Sequence, residues 1–158
     1  MAEGGEGLTG VIDATAGAAL LDPAVLVLLP SARGGGRMIK AIKFVSIPVR
    51  DQDASLRFFT EKLGFRVLTD QPYNDKQRWI ELRVGNSPTS LVLFTADGDA
   101  DFIGRGFHGS LVCDKLEKTY EELVAKGVEF IAPPTKASWG SFAVFKDIDG
   151  NRFVISAG

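Results

Sequence analysis

An internal repeat constrains the fold of this chain more than any other feature of its sequence. One order of elements occurs twice: an apolar strand, an aspartate, and a helical segment closed by a glycine. Gly64 follows Asp51 by thirteen residues, and Gly127 follows Asp114 by the same thirteen. The strands read IKFVSIPV and SLVC, and the helical segments read QDASLRFFTEKLGF and KLEKTYEELVAKGVEF. Self-similarity at this scale predicts two copies of one structural unit.

Each helical segment carries one apolar stripe, since its apolar residues recur at helical spacing. Asp51 and Asp114 are expected near the helix starts, where a carboxylate accepts hydrogen bonds from unpaired backbone N–H groups. Gly64 and Gly127 are expected to close the helices in the left-handed conformation. These four residues therefore have a predicted structural role. The stripes consist of Leu56, Phe59 and Leu63 in the first helix, and of Leu116, Tyr120, Leu123 and Val124 in the second.

Three more strands are predicted after each helix, which makes each copy a βαβββ unit. They read FRVLTD, RWIELRV and SLVLFT in the first copy, and VEFIA, SFAVFKD and RFVIS in the second. A unit of this kind covers one sheet face with its helix and leaves the other bare. We therefore predict an α+β fold in which two repeats, at about residues 38–96 and 105–158, pair mixed sheets into a concave half-barrel cup. The cup is where a functional site is expected.

Two stretches of the sequence carry a family resemblance in addition to the repeat. The segments FFTEKLGF near the start and WGSFAVFKDIDGNRFVIS near the end resemble the glyoxalase, bleomycin-resistance and extradiol-dioxygenase group, the vicinal oxygen chelate superfamily. The resemblance covers residues 38–158 and implies the glyoxalase-like fold. This fold hosts lyases, isomerases, dioxygenases, thiol transferases and non-catalytic drug binders, so it does not by itself assign a function.

The resemblance also implies positions for a divalent metal in the members that have one. Those members hold the ion with four side chains that point into the cup from the first and fourth strands of each half. The residues expected at these positions here are Phe44, Glu81, His108 and Val154. One histidine and one carboxylate bind a metal weakly, because a catalytic site generally needs three protein ligands. We expect no tightly bound cofactor, with Glu81 and His108 as weak ligands of a divalent metal as the alternative.

Strand alternation indicates which side chains line the cup. The predicted lining mixes aromatic walls with a few polar groups, which is typical of a small-molecule pocket. Glu81 beside Arg83 is equally compatible with a solvated strand face, and His108 with a hydrogen-bonding wall residue. The ligand-binding candidates are Phe44, Ser46, Trp79, Arg83, Ser110, Trp139, Phe142 and Val154, with Glu81 and His108 as catalytic candidates.

Two classes of function follow from this lining. The first is a metal-independent binding protein that holds a hydrophobic or planar small molecule between aromatic side chains. The alternative is a lyase, isomerase or dioxygenase-type enzyme that uses Glu81 and His108 with a weak metal or as an acid and base pair. A dimeric interaction module with a vestigial cup is a third interpretation.

The composition and charge of the chain limit the classes of partner that it is expected to bind. A net charge of −2 and a pI of about 5.4 give no electrostatic bias toward nucleic acid. Residues 38–158 contain equal numbers of basic and acidic residues, so the acidic character suited to a strongly cationic drug is absent. The single cysteine, Cys113, cannot form an intramolecular disulfide, and a cytoplasmic location suits it. No membrane partner is expected. A homodimer is expected, because the strand edges of small open sheets need covering.

Residues 1–37 differ in composition from the rest, with glycine-rich ends around the apolar run DATAGAALLDPAVLVLLPSA. A secretory signal needs a basic start and an uninterrupted apolar core. This segment begins with Glu3 and Glu6, has no basic residue before Arg33, and is broken by Asp22 and Pro23. It is therefore predicted to be a flexible or loosely docked extension that contributes no chemistry.

Overall fold

The computed structural model describes residues 39–95, 100–105 and 107–158. Residues 40–158 form one compact unit. The predictions for residues 1–37 lie outside the described part of the chain. In chain order the elements are β1 (Phe44–Pro48), α1 (Gln52–Arg57), a π-helical turn (Phe58–Lys62), β2 (Arg66–Pro72), β3 (Arg78–Arg83), β4 (Ser90–Phe94), a 3-10 turn (Ala100–Phe102), β5 (His108–Cys113), α2 (Leu116–Ala125), β6 (Glu129–Ala137), β7 (Gly140–Lys146) and β8 (Arg152–Ala157).

The strands form two mixed sheets with the same topology. The first sheet has the order β1-β4-β3-β2 and the second the order β5-β8-β7-β6. In each, the first and last strands of the half pair in parallel, and the remaining neighbours pair antiparallel. The predicted α+β fold of two βαβββ units is therefore confirmed. Within the described residues no strand of one sheet pairs with a strand of the other, and the sheets do not close into a barrel.

The helix boundaries agree with the sequence in the first half and differ in the second. Asp51 caps α1, and its carboxylate accepts a hydrogen bond of 2.9 Å from the backbone N–H of Ala54. Gly64 and Gly127 both have the expected positive φ, at 72° and 73°. Asp114 is not the cap of α2, contrary to the prediction. The N-cap residue is Lys115, which has no capping side-chain bond, because the helix begins one residue later than in the first half.

The first helix ends in a π-helical turn, which the apolar stripe did not predict. This turn contains one more residue than an α-helical turn, and it buries the adjacent residues Phe58 and Phe59 together. Phe59 is fully buried, and its ring lies 5.8 Å from the ring of Phe153 on β8. The turn therefore connects the first helix to the second sheet.

One hydrophobic core serves both halves. It contains the inward side chains of both sheets together with residues of α1, the π-helical turn and α2. We call the sheet side that faces this core the inner face, and the opposite side the outer face. The largest fully buried side chains are Phe59, Phe145, Phe153, Ile47, Ile80, Leu82, Leu93 and Leu116. Both outer faces therefore point away from the core.

The loop between β7 and β8 joins the two halves through a buried polar cluster, which we call the latch (Asp147, Asp149 and Asn151). The amide of Asn151, fully buried, donates to the backbone carbonyl of Pro48 at 2.9 Å and to Asp147 at 2.8 Å. Asp149 accepts from the hydroxyl of Ser55 and forms an ion pair with Arg50 at 3.1 Å. Burial raises the pKa of Asp147, against the opposing effect of its hydrogen bonds. The latch thus binds the second half to the connection between β1 and α1.

No helix in the described residues has the length and hydropathy of a membrane span.

Candidate functional site

The outer face of the first sheet carries several of the predicted ligand-binding residues in register. One row across the strands consists of Phe44, Ser90, Arg83 and Arg66, and the next of Ser46, Val92, Glu81 and Thr69. Trp79 belongs to the third row, opposite Gln71. Strand alternation therefore predicted correctly that Phe44, Ser46, Trp79, Glu81 and Arg83 share a face.

Two aromatic rings close over this face. The rings of Phe44 and Trp79 start two rows apart, yet their centroids are 5.2 Å from each other in an edge-to-face arrangement. The two side chains therefore lean toward each other across the middle row. This cover explains why Val92 is only 2% exposed on the side away from the core. Tyr73 extends the group, with its ring 6.1 Å from that of Trp79.

Glu81 lies in the middle row and is half-buried. Its carboxylate accepts a hydrogen bond from the hydroxyl of Ser90, whose oxygen also lies 3.2 Å from the backbone carbonyl oxygen of Lys43. Ser90 therefore orients the carboxylate of Glu81, and the sequence alone did not reveal this contact. The register between β3 and β4 creates the contact, since the two residues are nine positions apart in the chain.

The outer face of the second sheet carries the other candidates. His108 and Ser110 lie on β5, with His108 opposite Arg152 and Ser110 opposite Val154. Both are exposed. No hydrogen bond or ion pair involves the imidazole of His108 among the described residues.

A second aromatic pair stands on this face. Trp139, in the turn between β6 and β7, stacks on Phe142 with centroids 5.0 Å apart and an interplanar angle of 24°. Trp139 is 66% exposed, which is unusual for so large an apolar ring. Each half thus presents a pair of contacting aromatic rings on its outer face, and Tyr73 adds a third in the first half.

The family's metal positions do not supply enough donors in this chain. Glu81 was assigned to a fourth-strand position, and this assignment is wrong because Glu81 lies on β3. The fourth-strand residue that matches Val154 is Val92, since each faces a serine of the parallel neighbour, Ser46 or Ser110. The four positions therefore hold Phe44, Val92, His108 and Val154, of which His108 alone carries a donor. No group of three or more His, Cys, Asp or Glu in the described residues could hold a metal ion.

A cavity in the described part of the chain lies mainly on the inner side of the sheets, beside the edge strands β1 and β5, and not at the predicted lining. It has a volume of about 820 Å³ and lies between β1 and β4 of the first sheet and β5 of the second. Of the predicted site residues, His108 and Ser110 alone line it. Its walls include Val45, Leu91, Phe107, Leu111, Leu123 and Phe153. β1 and β5, which border this cavity, are both edge strands of their sheets.

The repeated βαβββ units and the two outer faces define the class of protein, and comparison with known proteins confirms it. Residues 41–155 match the family model described as the Glyoxalase/Bleomycin resistance protein/Dioxygenase superfamily. The chain belongs to this superfamily.

Relatives and solved structures extend the similarity over the described unit. The chain is 36% identical over 121 residues to YetH, an uncharacterized protein of Bacillus subtilis (strain 168). The aligned residues cover 75% of this chain and 98% of YetH. It is similar in structure to UcmS2, with 34% identity, a TM-score of 0.68, and coverage of 75% and 98% of the two chains. It is also similar in structure to TnmS3, an antibiotic binding protein from Streptomyces sp. CB03234, with the same TM-score of 0.68, 29% identity, and coverage of 77% of this chain and 98% of TnmS3.

Proposed function

We propose that this chain is a small-molecule-binding protein that holds a planar or hydrophobic ligand against its outer sheet faces without a tightly bound metal. One observation carries the proposal: each half places a pair of aromatic rings on the outer face, outside the hydrophobic core. Aromatic side chains that are not needed for the core supply contact area for a ring-shaped ligand. The similarity to TnmS3, whose description is an antibiotic binding protein, supports the same class of function.

A second copy of the chain is proposed to complete the binding site. The two outer faces belong to separate sheets, and one free edge of each, β1 and β5, borders the inner cavity. Val112 on β5 is 76% exposed and Val45 on β1 is 38% exposed, so both edges present apolar side chains. Unpaired edges of this kind are normally covered. In the proposed homodimer, a second copy covers β1 and β5. The outer face of the first sheet of one protomer then lies beside the outer face of the second sheet of its partner, and the two faces form one cup.

Charge at the exposed edge tests the dimer. Val112→Lys puts an ammonium group where the partner is proposed to pack, so the variant is expected to sediment as a monomer at concentrations where the wild type is a dimer. Ile148→Lys is the control, because Ile148 is 51% exposed in the β7–β8 loop. A monomeric wild type, or an unchanged dimer in the Val112 variant, contradicts this arrangement.

Binding is tested with three naphthalene probes: 1-naphthamide, 1-naphthoate and 1-naphthylmethylammonium. The chain has two tryptophans, so a ¹H–¹⁵N spectrum shows two indole N–H signals, which Trp79→Phe and Trp139→Phe assign. A bound ring is expected to shift both signals in a saturable manner. Trp139→Ala should weaken binding roughly threefold to tenfold, the value of one aromatic contact. Phe102→Ala is the control, since Phe102 is 59% exposed in the 3-10 turn. If no probe shifts either indole signal, the proposed function fails.

Catalysis is the second candidate function, and the hydrogen bond from Ser90 to Glu81 favours it. An oriented carboxylate can take a proton from a carbon beside a carbonyl, and His108 of the partner subunit could return one across the cup. The test is incorporation of solvent deuterium into the methyl group of acetophenone. Glu81→Gln should abolish any enzyme-dependent incorporation, with Glu61→Gln, on the π-helical turn, as the control. Incorporation that is equal with and without the protein eliminates this candidate.

A further inference from the structure

Two arginines on the first outer face have no counter-ion among the described residues. Arg66 on β2 and Arg83 on β3 are cross-strand partners and point to the same side of the sheet. No carboxylate of the described residues lies within 4.0 Å of either guanidinium group. Arg83 is half-buried and Arg66 is exposed.

Folding does not account for this arrangement. Like charges placed directly opposite each other in a sheet destabilise it. The other basic residue of β3, Arg78, lies on the inner side and contacts two carboxylates, those of Asp53 and Asp70. Lys146 on β7 is likewise paired with Glu129 at 2.6 Å. Among the described residues, Arg66 and Arg83 therefore lack the carboxylate partners that Arg78 and Lys146 have, as do Lys136 on β6 and Arg152 on β8.

We propose that the ligand of the outer face is an anion, a planar aromatic molecule whose carboxylate or sulfonate binds between Arg66 and Arg83 while its ring packs on Phe44 and Trp79. This inference rests on the proposed binding function and names the chemical class of the ligand. Arginine binds carboxylates and tetrahedral oxyanions with two parallel hydrogen bonds, so a pair of arginines holds one such group firmly.

The spacing of the row fits such a ligand. Phe44 and Arg83 stand on either side of Ser90 in the same row, two strand spacings apart. Neighbouring strands lie about 4.8 Å apart, so β1 and β3 are separated by about 10 Å. Because the Phe44 ring leans toward Trp79 on β3, a two-ring aromatic acid is long enough to contact both rings while its acidic group reaches Arg83.

The charges of both outer faces favour anions over cations. The basic residues there are Arg66, Arg83, Lys146 and Arg152, and the acidic residues are Glu81 and Glu129. Glu129 is already neutralised by Lys146. The positive excess is local, since residues 38–158 carry equal numbers of basic and acidic side chains. A strongly cationic ligand would meet a repulsive surface at this face.

The three naphthalene probes test the inference because they share one ring system and differ in charge. We expect 1-naphthoate to bind roughly tenfold more tightly than 1-naphthamide, and the ammonium probe to bind least, since a hydrogen bond to a charged group is stronger than a neutral one. Arg83→Gln should remove the preference for naphthoate, and Arg83→Lys should retain part of it. Arg57→Gln is the matched control, because Arg57 is an exposed arginine of α1. The advantage of naphthoate should also decrease as salt increases.

The outcomes separate this inference from the proposed function. If naphthoate and naphthamide bind equally while Trp139→Ala still weakens both, the proposed function stands and the anion site is refuted. If the preference for naphthoate persists in the Arg66→Gln, Arg83→Gln double variant, the anion binds elsewhere and the inference is again refuted. If no probe binds at all, both proposals fail.

Discussion

Removal of the Asn151 amide should strongly destabilise the folded chain. Asn151 is fully buried and forms three hydrogen bonds through its side chain. It donates to the carbonyl of Pro48 and to the carboxylate of Asp147, and it accepts from the backbone N–H of Gly104 at 3.2 Å. In Asn151→Ala all three partners lose this bond inside the protein, where water does not readily replace it.

The magnitude follows from those three partners. An intramolecular hydrogen bond contributes about 1 kcal/mol net, and a buried group left without a partner costs about 1–3 kcal/mol. Asp147 keeps its bonds from the backbone N–H groups of Asp149 and Asn151, so its loss is partial. The free energy of unfolding should therefore fall by roughly 2–4 kcal/mol. With a urea m-value of about 1.5 kcal/mol/M, the unfolding midpoint falls by roughly 2 M.

Urea unfolding followed by circular dichroism and by tryptophan fluorescence measures this change. The protein concentration is held constant, because dimerisation would make the midpoint depend on it. Asn86→Ala is the matched control, since Asn86 is exposed. A midpoint for Asn151→Ala within about 0.3 M of the wild type would refute the argument that the latch holds the halves together.

Three further changes follow from the structure. Because burial raises the pKa of Asp147, the folded state binds this proton more tightly than the unfolded state. The free energy of unfolding should therefore decrease as pH rises from the ordinary aspartate pKa of about 4 through the raised value, and Asp147→Asn should flatten that part of a urea-midpoint profile. Gly109→Ala would place a Cβ atom 2.7 Å from the ring of Phe107, so the free energy of unfolding, measured by thermal unfolding, should fall by about 1–3 kcal/mol. Gly85→Ala meets no atom within 4 Å but puts a side chain on a residue with a φ of 50°, so it reports backbone strain without a clash. Phe153→Ala should lower the free energy of unfolding, measured in urea, by about 3–5 kcal/mol, because the Phe153 ring contacts those of Phe59, Phe107 and Phe145. A decrease below about 1 kcal/mol would show that the shared core is less tightly packed than the ring distances indicate.

Much of the fold could be predicted because its signals are local. The alternation in RWIELRV places Ile80 and Leu82 on the inner face and Glu81 on the outer face, as the structure has them. The aspartate cap and the glycine closure of α1 depend on residues within one turn of the helix. Asp114 shows the limit of this reasoning. A shift of one residue in the helix start transfers the cap position to Lys115, and no sequence pattern distinguishes the two cases.

The site was harder to predict because strand register determines it. Ser90 orients Glu81 only through the pairing of β3 with β4, and Arg66 faces Arg83 only through the pairing of β2 with β3. The assignment of Glu81 to a fourth-strand position is an error of a different kind, because RWIELRV precedes SLVLFT in the predicted order of strands and Val92 stands at that position. A repeat in the sequence predicts that two sheets exist, but it contains no signal for whether their edge strands pair with each other.

The parallel pairing of β1 with β4 has a consequence for the order of folding. It joins the first and last strands of a half, so the first sheet can be completed from residues 44–94 before β5 has been synthesised. The inner face of that sheet, with Ile47, Ile80 and Leu93, nevertheless shares its core with Phe145 and Phe153 of the last two strands. A nascent first half therefore exposes apolar surface until the C-terminal end of the chain arrives. A fragment that stops before β7 should aggregate during synthesis. In the full chain, the addition of the last two strands should set the rate at which the exposed apolar surface is buried.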